Sequence, residues 1–257
     1  MSLFGDRVLV IAAHPDDAEL AVGGTIAALT ERDAKVTVAV LTVSETPSDD
    51  DPDRRTRRMA AAEAAATVLG HDLVWVADGR YDQVEDLPAY RVVTLLDELL
   101  DRIRPDTVIS HWDGDSHTDH VRVAQAVVSA SRRWPEVTFL QFGPNEYRTV
   151  RHAQFVPTVY VPTGGHSAAK ARALACYSYP GQGFRALDLE TVEAFDRARG
   201  AAVGTRAAEG LVLVRHRPDP GRPSPRPHTQ QPTDRPPQHA HAEQATSLRS
   251  PESEPLP

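Results

Sequence analysis

Hydrophobic and polar positions follow one another in a regular order from Arg7 to Leu140. Short, β-branched apolar runs predict strands, and longer segments with apolar residues three and four apart predict helices. The predicted strands are Arg7–Ala12, Val36–Val43, Leu73–Val76, Thr107–Ser110 and Val137–Leu140. The predicted helices between them are Ala18–Arg32, Arg54–Leu69, Ala89–Ile103 and Asp119–Arg132.

This alternation of strands and helices indicates crossover connections and therefore a mainly parallel sheet. The strands are apolar throughout, as expected where helices cover both faces of a sheet. The sequence thus predicts an α/β, Rossmann-like fold with helices on both faces. Beyond residue 150 the pattern is less regular and predicts strands at Phe155–Val161 and Leu211–Val214, with helices at Ser167–Tyr177 and Asp188–Arg199.

The composition changes after His216. Residues 217–257 contain 11 of the chain's 21 prolines and almost no apolar side chains. Such a segment cannot bury enough surface to offset the entropy lost on ordering. We therefore predict one domain over residues 1–216 and a disordered, proline-rich tail over residues 217–257.

Charge and cysteine content exclude several classes of function. The formal net charge is -8, with no long basic run, so neither nucleic acid nor an anionic membrane is an expected partner. The single cysteine, Cys176, rules out a disulfide framework and a cysteine zinc site. The first residues lack the pattern of a signal peptide, and no segment is long and apolar enough to span a bilayer. We expect a soluble, cytoplasmic protein.

Polar side chains gather where two of the predicted strands end. His14, Asp16 and Asp17 come directly after the first strand, and His117 and His120 follow the strand that ends at Ser110. The carboxyl ends of parallel strands share one edge of a sheet, where ligands collect. Two histidines and a carboxylate form a sound three-ligand set for a catalytic zinc with one open position. Asp16 or Asp17 could instead cap the helix that follows the first strand, and Asp119 could cap the helix that follows the strand ending at Ser110.

These residues match the motifs of a known protein family. The chain resembles the zinc-dependent N-acetylglucosaminyl deacetylases related to the PIG-L and LmbE proteins, over roughly residues 5 to 216. The shared features are three short motifs and three weaker similarities: Ala13–Asp17, Gly23–Thr25, His117–His120, Lys170, Tyr177–Gln182 and Ala208–Gly210. Thr118 stands where the family pattern has proline, which leaves both histidines of that motif intact.

The resemblance implies a role for each matching residue. His14, Asp17 and His120 would hold the metal, which would be Zn²⁺, with Fe²⁺ or another divalent ion as the alternative. Asp16 would be the general base that takes a proton from the attacking water. His117 would be the acid or electrostatic partner of the amide oxygen, and Asp119 would orient it.

Two further residues are candidates for substrate contact. Arg58, in the second helix, is a candidate for contact with a sugar hydroxyl or phosphate, and Trp112 is a candidate for stacking on a sugar ring. The alternatives are a surface arginine and an aromatic side chain at the edge of the core.

The expected function is removal of an N-acetyl group from an N-acetylated amino sugar or its glycoside. One alternative is an amidase acting on a thiol-sugar conjugate or another N-acyl secondary metabolite. The other is a non-catalytic carbohydrate-binding protein on the same fold. The expected partners are a small amino-sugar substrate and, because family members commonly form oligomers, further copies of the chain.

Overall fold

The computed structural model describes residues 3–44, 52–143, 154–178 and 188–216. Seven strands and six α-helices lie in this described part of the chain. The strands are β1 (Arg7–Ala12), β2 (Lys35–Val40), β3 (Asp72–Trp75), β4 (Thr107–His111), β5 (Thr138–Phe142), β6 (Val159–Pro162) and β7 (Ala208–Arg215). The helices are α1 (Asp17–Glu31), α2 (Arg54–Leu69), α3 (Ala89–Ile103), α4 (Thr118–Ser131), α5 (Ser167–Ala175) and α6 (Leu189–Ala202).

The strands form a single sheet in the order β3-β2-β1-β4-β5-β7-β6. The first five of these strands run parallel to one another, which confirms the predicted mainly parallel sheet. The chain leaves β1 toward β2 on one side and later returns to β4 on the other. The order of connection therefore reverses between β1 and β4, the place where α/β sheets generally form a crevice at the carboxyl ends of the strands.

Helices cover both faces of the sheet, as predicted. One buried apolar cluster packs α1, α2 and α5 against one face of the sheet. A second cluster packs α3 and α4 against the other face. Because every residue of β1 from Val8 to Ala12 is fully buried between these layers, the strand is apolar on both sides.

The last two strands, β6 and β7, do not continue the parallel pattern of the sheet. β7 is antiparallel to both β5 and β6. The predicted strand Phe155–Val161 begins only at Val159 in the structure, and the one predicted at Leu211–Val214 extends over Ala208–Arg215. Pro157, which carries no backbone N–H, lies within the predicted segment that does not join the sheet.

The Gly23-Gly24-Thr25 segment lies where α1 is bent. Val22 departs from helical geometry with φ -139°, and the amides of Gly24 and Thr25 donate to the Glu209 carboxylate at 2.9 and 2.7 Å. A Cβ added to Gly24 would lie 2.8 Å from Thr163 Cβ. Glycine at this position therefore allows α1 to pack closely against Thr163 and Glu209.

Glu209 belongs to a buried cluster of three charges on β7, α5 and α6. Lys170 Nζ lies 2.8 Å from Glu209 Oε1 and 2.7 Å from Asp196 Oδ2. Although burial opposes it, the two carboxylates raise the pKa of Lys170 above its usual value. This cluster joins the last strand to the helix that follows β1.

His71, at the start of β3, is a buried imidazole with a pH-dependent effect on stability. Burial lowers its pKa below the ordinary 6.5, although Asp72 opposes the shift. Below pH 6.5 the unfolded chain therefore binds a proton at His71 more readily than the folded chain does, so the contribution of His71 to stability falls as pH falls. We expect His71→Asn to reduce this loss, by up to about 1.4 kcal/mol per pH unit, in urea unfolding at pH 7 and pH 5.5. If His71→Asn and wild-type protein lost the same free energy of unfolding between pH 7 and pH 5.5, His71 would not be the source of this loss.

The predicted disordered tail, residues 217–257, lies outside the described residues, and the domain boundary at residue 216 stays a prediction. Among the residues that the structure describes, none of the helices has both the length and the apolar character that crossing a bilayer requires.

Candidate metal centre

The first half of the candidate site is the loop between β1 and α1. His14 is buried, and its backbone N–H donates to Asp17 Oδ2 at 2.8 Å. Asp16 precedes α1 in a left-handed conformation with φ 85°. Asp17 begins the helix. The sharp turn therefore places an imidazole and two carboxylates together at the end of a buried strand.

The second half is the loop between β4 and α4. Asp115 accepts the backbone N–H of His117 at 3.0 Å. The Nδ1 atom of His117 in turn accepts the backbone N–H of Asp119 at 3.2 Å, which caps the first turn of α4. His120 lies one turn further along the helix. Both histidines therefore lie at the start of α4, near the end of β4. The side chains of Asp115 and His117 hold this first turn in place.

The two loops meet in the crevice between β1 and β4. His14 Nδ1 lies 3.6 Å from Asp17 Oδ2, and His120 Nε2 lies 3.4 Å from Asp17 Oδ1. Ligand atoms of His14, His117 and His120 also lie within 4.8 Å of one another. Metal–ligand distances of 2.0–2.1 Å in a tetrahedral site require ligand atoms about 3.3 Å apart. The two Asp17 oxygens lie close to that spacing, one from a nitrogen of His14 and the other from a nitrogen of His120.

The remaining ring nitrogens of two histidines are held by carboxylates. His14 Nε2 lies 2.9 Å from Asp119 Oδ2, and His120 Nδ1 lies 2.8 Å from Asp115 Oδ2. Histidines that bind metals commonly donate their second N–H to a carboxylate, which orients the ring and raises its basicity. Each ring is therefore left with one nitrogen turned toward Asp17.

The electrostatics of the crevice favour a cation. Burial opposes protonation of His120, yet Asp17 and Asp115 raise its pKa to about 10. The same interaction holds the pKa of Asp17 well below its usual range, although burial opposes this shift too. Two ionised carboxylates thus face one imidazole in a poorly solvated place, where positive charge is strongly stabilised.

His111, the last residue of β4, forms a wall of the crevice. Its ring is stacked on His120 with centroids 4.1 Å apart, and its Nε2 atom lies 3.3 Å from Asp17 Oδ2. Asp17, His111 and His120 are therefore a second group that could hold an ion. However, His111 Nε2 accepts the backbone N–H of Ala13 at 2.9 Å, and metal binding at that atom would break this bond. Burial lowers the pKa of His111 to about 4, so the ring is neutral.

Asp16 lies beside this crevice and is paired with Arg58. Arg58 Nη2 donates to Asp16 Oδ2 at 3.2 Å and to the carbonyl oxygen of Pro15 at 2.8 Å. Burial, with a contribution from the neighbouring Asp17, raises the pKa of Asp16, while Arg58 opposes the shift. A carboxylate with a raised pKa is suited to accept and return a proton.

Three predicted residues have surroundings that sequence reasoning did not anticipate. The prediction that Asp119 orients His117 differs from the structure, in which the Asp119 carboxylate contacts His14 and only its backbone N–H reaches His117. The Arg58 side chain is buried against Asp16 instead of standing at the surface. Trp112 packs edge to face on Phe155, with ring centroids 5.6 Å apart. Sugar contact by Arg58 or Trp112 stays a prediction.

Sequence reasoning missed two residues of the site. Asp115, which orients His120, stands two positions before His117, and its place in a polar loop after a strand was the only signal of its role. His111 directly follows the predicted strand Thr107–Ser110, but its packing against Asp17 and His120 depends on the pairing of β1 with β4.

Comparison with known proteins supports the resemblance. The family model PIG-L, described as GlcNAc-PI de-N-acetylase, matches residues 9–131. The "uncharacterized deacetylase YaiS" of Escherichia coli is 29% identical over 163 residues, which are 58% of this chain and 84% of that protein. A 1D-myo-inositol 2-acetamido-2-deoxy-alpha-D-glucopyranoside deacetylase of Kineococcus radiotolerans is 28% identical over 48% of this chain and 44% of its own length. The chain thus spans less than half of that second relative.

Solved structures share the fold. The N,N'-diacetylchitobiose deacetylase of Pyrococcus horikoshii matches with a TM-score of 0.65 at 20% identity, over 81% of this chain and 83% of its own. GalB of Pseudomonas putida, a 4-carboxy-2-hydroxymuconate hydratase, matches with a TM-score of 0.64 at 21% identity, over 84% and 99% of the two chains. The same fold therefore carries more than one reaction. The sequence match over residues 9–131, just under half of the chain, shows that this chain is similar to the PIG-L (LmbE-like) deacetylases, and the solved structures show that it shares their fold.

Proposed function

We propose that this protein is a zinc-dependent N-deacetylase that hydrolyses the acetamide of an N-acetylated amino sugar or its glycoside. The observation that carries the proposal is the spacing in the crevice. Two imidazole nitrogens lie 3.6 and 3.4 Å from the Asp17 oxygens, and a separate carboxylate holds the far side of each ring. The relatives named as deacetylases of N-acetylglucosamine compounds support the choice of substrate.

In this proposal His14, Asp17 and His120 hold the metal. A divalent ion bound there supplies Lewis acidity, which makes water acidic near neutral pH and polarises an acyl carbonyl. Asp16 accepts the proton of the attacking water, and its raised pKa suits it to return that proton to the departing amine. Arg58 holds the Asp16 carboxylate in place during both steps.

In this proposal His117 is the partner of the acyl oxygen. Its Nδ1 atom accepts the Asp119 amide, so a neutral ring carries its proton on Nε2. That N–H is available to donate to the oxygen on which negative charge develops in the transition state. Burial and the neighbouring His120 lower the pKa of His117, so this neutral donor persists at neutral pH.

The test is acetate release from N-acetylglucosaminides by metal-loaded protein, before and after chelation. We expect hydrolysis that stops on chelation and returns when zinc is restored. If the protein released only a longer acyl group, or cleaved only a thiol-sugar conjugate, the amidase alternative would replace this proposal. Binding of the sugars without hydrolysis in metal-loaded protein would favour the carbohydrate-binding alternative.

Removal of a ligand side chain gives a second prediction. We expect His14→Ala protein to retain less than about a tenth of the wild-type zinc after dialysis, because one of three ligands is lost. The matched control is His166→Ala, which removes an imidazole that pairs with Glu31 far from the crevice. Metal analysis by mass spectrometry measures both. Equal zinc in His14→Ala and wild-type protein would contradict the ligand assignment.

A further inference from the structure

A buried histidine at the end of β4 contacts both loops of the candidate metal centre. His111 is 2% exposed, and its Nε2 atom accepts the backbone N–H of Ala13 at 2.9 Å. The same atom lies 3.3 Å from Asp17 Oδ2, and the ring is stacked on His120 with centroids 4.1 Å apart. One imidazole therefore touches two of the three proposed ligands and the residue directly before the third.

The backbone N–H of Ala13 needs this acceptor because the strands do not supply one. The pairing of β1 with β4 ends at Ile11 and Ser110, so Ala13 lies beyond the last paired residue. Ala13 is 0% exposed, and a buried N–H without a partner costs about 1–3 kcal/mol. The His111 side chain therefore takes the place of a strand carbonyl.

The carbonyl group of Ala13 is held as well. It accepts the backbone N–H of Thr42, in the loop after β2, at 3.0 Å. With both of its backbone groups bonded, Ala13 fixes the point at which the chain leaves β1 and His14 begins. The backbone N–H of His14 then donates to Asp17 Oδ2 at 2.8 Å. The placement of both ligands therefore depends on the bond that His111 accepts.

The ring of His111 is itself held from two directions. Phe142 of β5 packs edge to face against it, with ring centroids 4.6 Å apart, and His120 lies nearly parallel to it at an interplanar angle of 22°. A rotation of the ring would displace these closely packed neighbours, so Nε2 stays directed at Ala13. Because this nitrogen accepts a hydrogen bond, the neutral ring carries its proton on Nδ1.

We propose that His111 is a positioning residue for the metal ligands: by accepting the Ala13 N–H and stacking on His120, it holds the loop after β1 and the start of α4 in the arrangement that binds the ion. This inference rests on the proposed function for the identity of the ligands. His111 is not itself a ligand in this arrangement, because a metal at Nε2 would break the bond to Ala13.

The test compares His111→Phe with His111→Gln. Phenylalanine keeps a planar ring but has no acceptor, whereas the Oε1 atom of glutamine is an acceptor as many bonds from the backbone as Nε2. We expect His111→Phe to weaken zinc binding about 10–100-fold, as is typical when a residue that orients metal ligands is lost, and His111→Gln to stay within about threefold of wild type. Competition with a chromophoric chelator measures the zinc dissociation constants.

Ser110→Ala is the matched control. Ser110 precedes His111 on β4, and its hydroxyl donates to the backbone carbonyl of Ile11 on β1 at 3.0 Å. This contact also joins the two strands, but it lies outside the two loops of the candidate site. We expect Ser110→Ala to bind zinc as wild-type protein does. Wild-type affinity in His111→Phe, or a loss in His111→Gln or Ser110→Ala equal to that in His111→Phe, would overturn the proposal.

If His111→Phe does not fold, wild-type protein alone decides. Nitrogen chemical shifts of the histidine rings, measured by NMR, should show the His111 proton on Nδ1 both before and after zinc is added. The Nε2 signal of His120 should move on zinc binding, because that atom is a proposed ligand. A proton on His111 Nε2, or a zinc-dependent shift of that nitrogen as large as that of His120, would overturn the proposal.

The zinc measurements separate this inference from the proposed function. Wild-type protein that bound zinc but released no acetate would contradict the proposed function alone, while the zinc affinities of the variants would still test the role of His111. Wild-type protein that bound no zinc would overturn both.

Discussion

Asp16→Asn is expected to lower turnover by about 10²–10⁴-fold while leaving the zinc content unchanged. Asparagine has nearly the same shape as aspartate and keeps an oxygen for the contact with Arg58, but it cannot accept the proton of the attacking water. The ligand atoms of His14, Asp17 and His120 are not altered. Steady-state acetate release and metal analysis on the same preparation measure the two quantities.

Asp53→Asn is the matched control for this change. Asp53 also stands directly before a helix, α2, but it is exposed, and its side chain makes no capping hydrogen bond. We expect wild-type turnover in this variant. A zinc-free Asp16→Asn protein would show that Asp16 is a ligand, and wild-type turnover in Asp16→Asn would remove it from the role of base.

Lys170→Met is expected to lower the free energy of unfolding by about 3–5 kcal/mol, because it leaves the buried carboxylates of Glu209 and Asp196 without their cation. Glu209 is 0% exposed, and its oxygens also hold the bent part of α1 through Gly24 and Thr25. In a domain of this size the melting temperature should fall by roughly 10 °C. Urea unfolding and thermal melting measure the change.

The chain contains a natural control, since Lys35 is its other lysine. Lys35 is exposed, and its Nζ atom lies 3.8 Å from Asp72 Oδ2 at the surface. Lys35→Met should change stability by less than about 0.5 kcal/mol. Similar small effects in both lysine variants would show that the buried cluster does not stabilise the fold as its contacts indicate.

Elements whose ends carry local signals were predicted best from the sequence. The helix predicted at Arg54–Leu69 has those bounds in the structure, and it ends at Gly70, whose φ is 75°. The helix predicted at Ala89–Ile103 also has its predicted bounds and ends before Pro105. Glycine in a left-handed conformation and proline both stop a helix through the backbone of one or two residues, so no distant contact is needed.

The end of the sheet was predicted less well, for a physical reason. The hydrophobic pattern shows that a segment such as β7 is buried, but it carries no information about the direction in which the strand runs. β7 lies between β5 and β6, and its antiparallel pairing with both depends on contacts far away in the chain. The extension of β7 to Ala208 likewise places Glu209 beside Gly24, a partner 185 positions away.

The same division applies to the candidate site. The two motifs with His14, Asp17 and His120 are visible because each follows an apolar strand, and parallel strands bring their carboxyl ends to one edge. The role of Asp119 was not visible, because its carboxylate turns to His14, 105 positions away, and not to the nearby His117. Neither Asp115 nor His111 belongs to a motif in the sequence, and their contacts with His120 and Asp17 exist only in the folded chain.

The sequence by itself determined the strands and helices, the parallel core of the sheet and the edge at which the polar residues collect. These follow from periodicity and backbone chemistry, which act over a few residues. Only the tertiary structure decided which nitrogen of each histidine is held by a carboxylate, which acid is paired with Arg58 and how β7 enters the sheet. Hydrogen bonds and ion pairs act over about 3 Å, so these partners are determined only when distant segments have packed together.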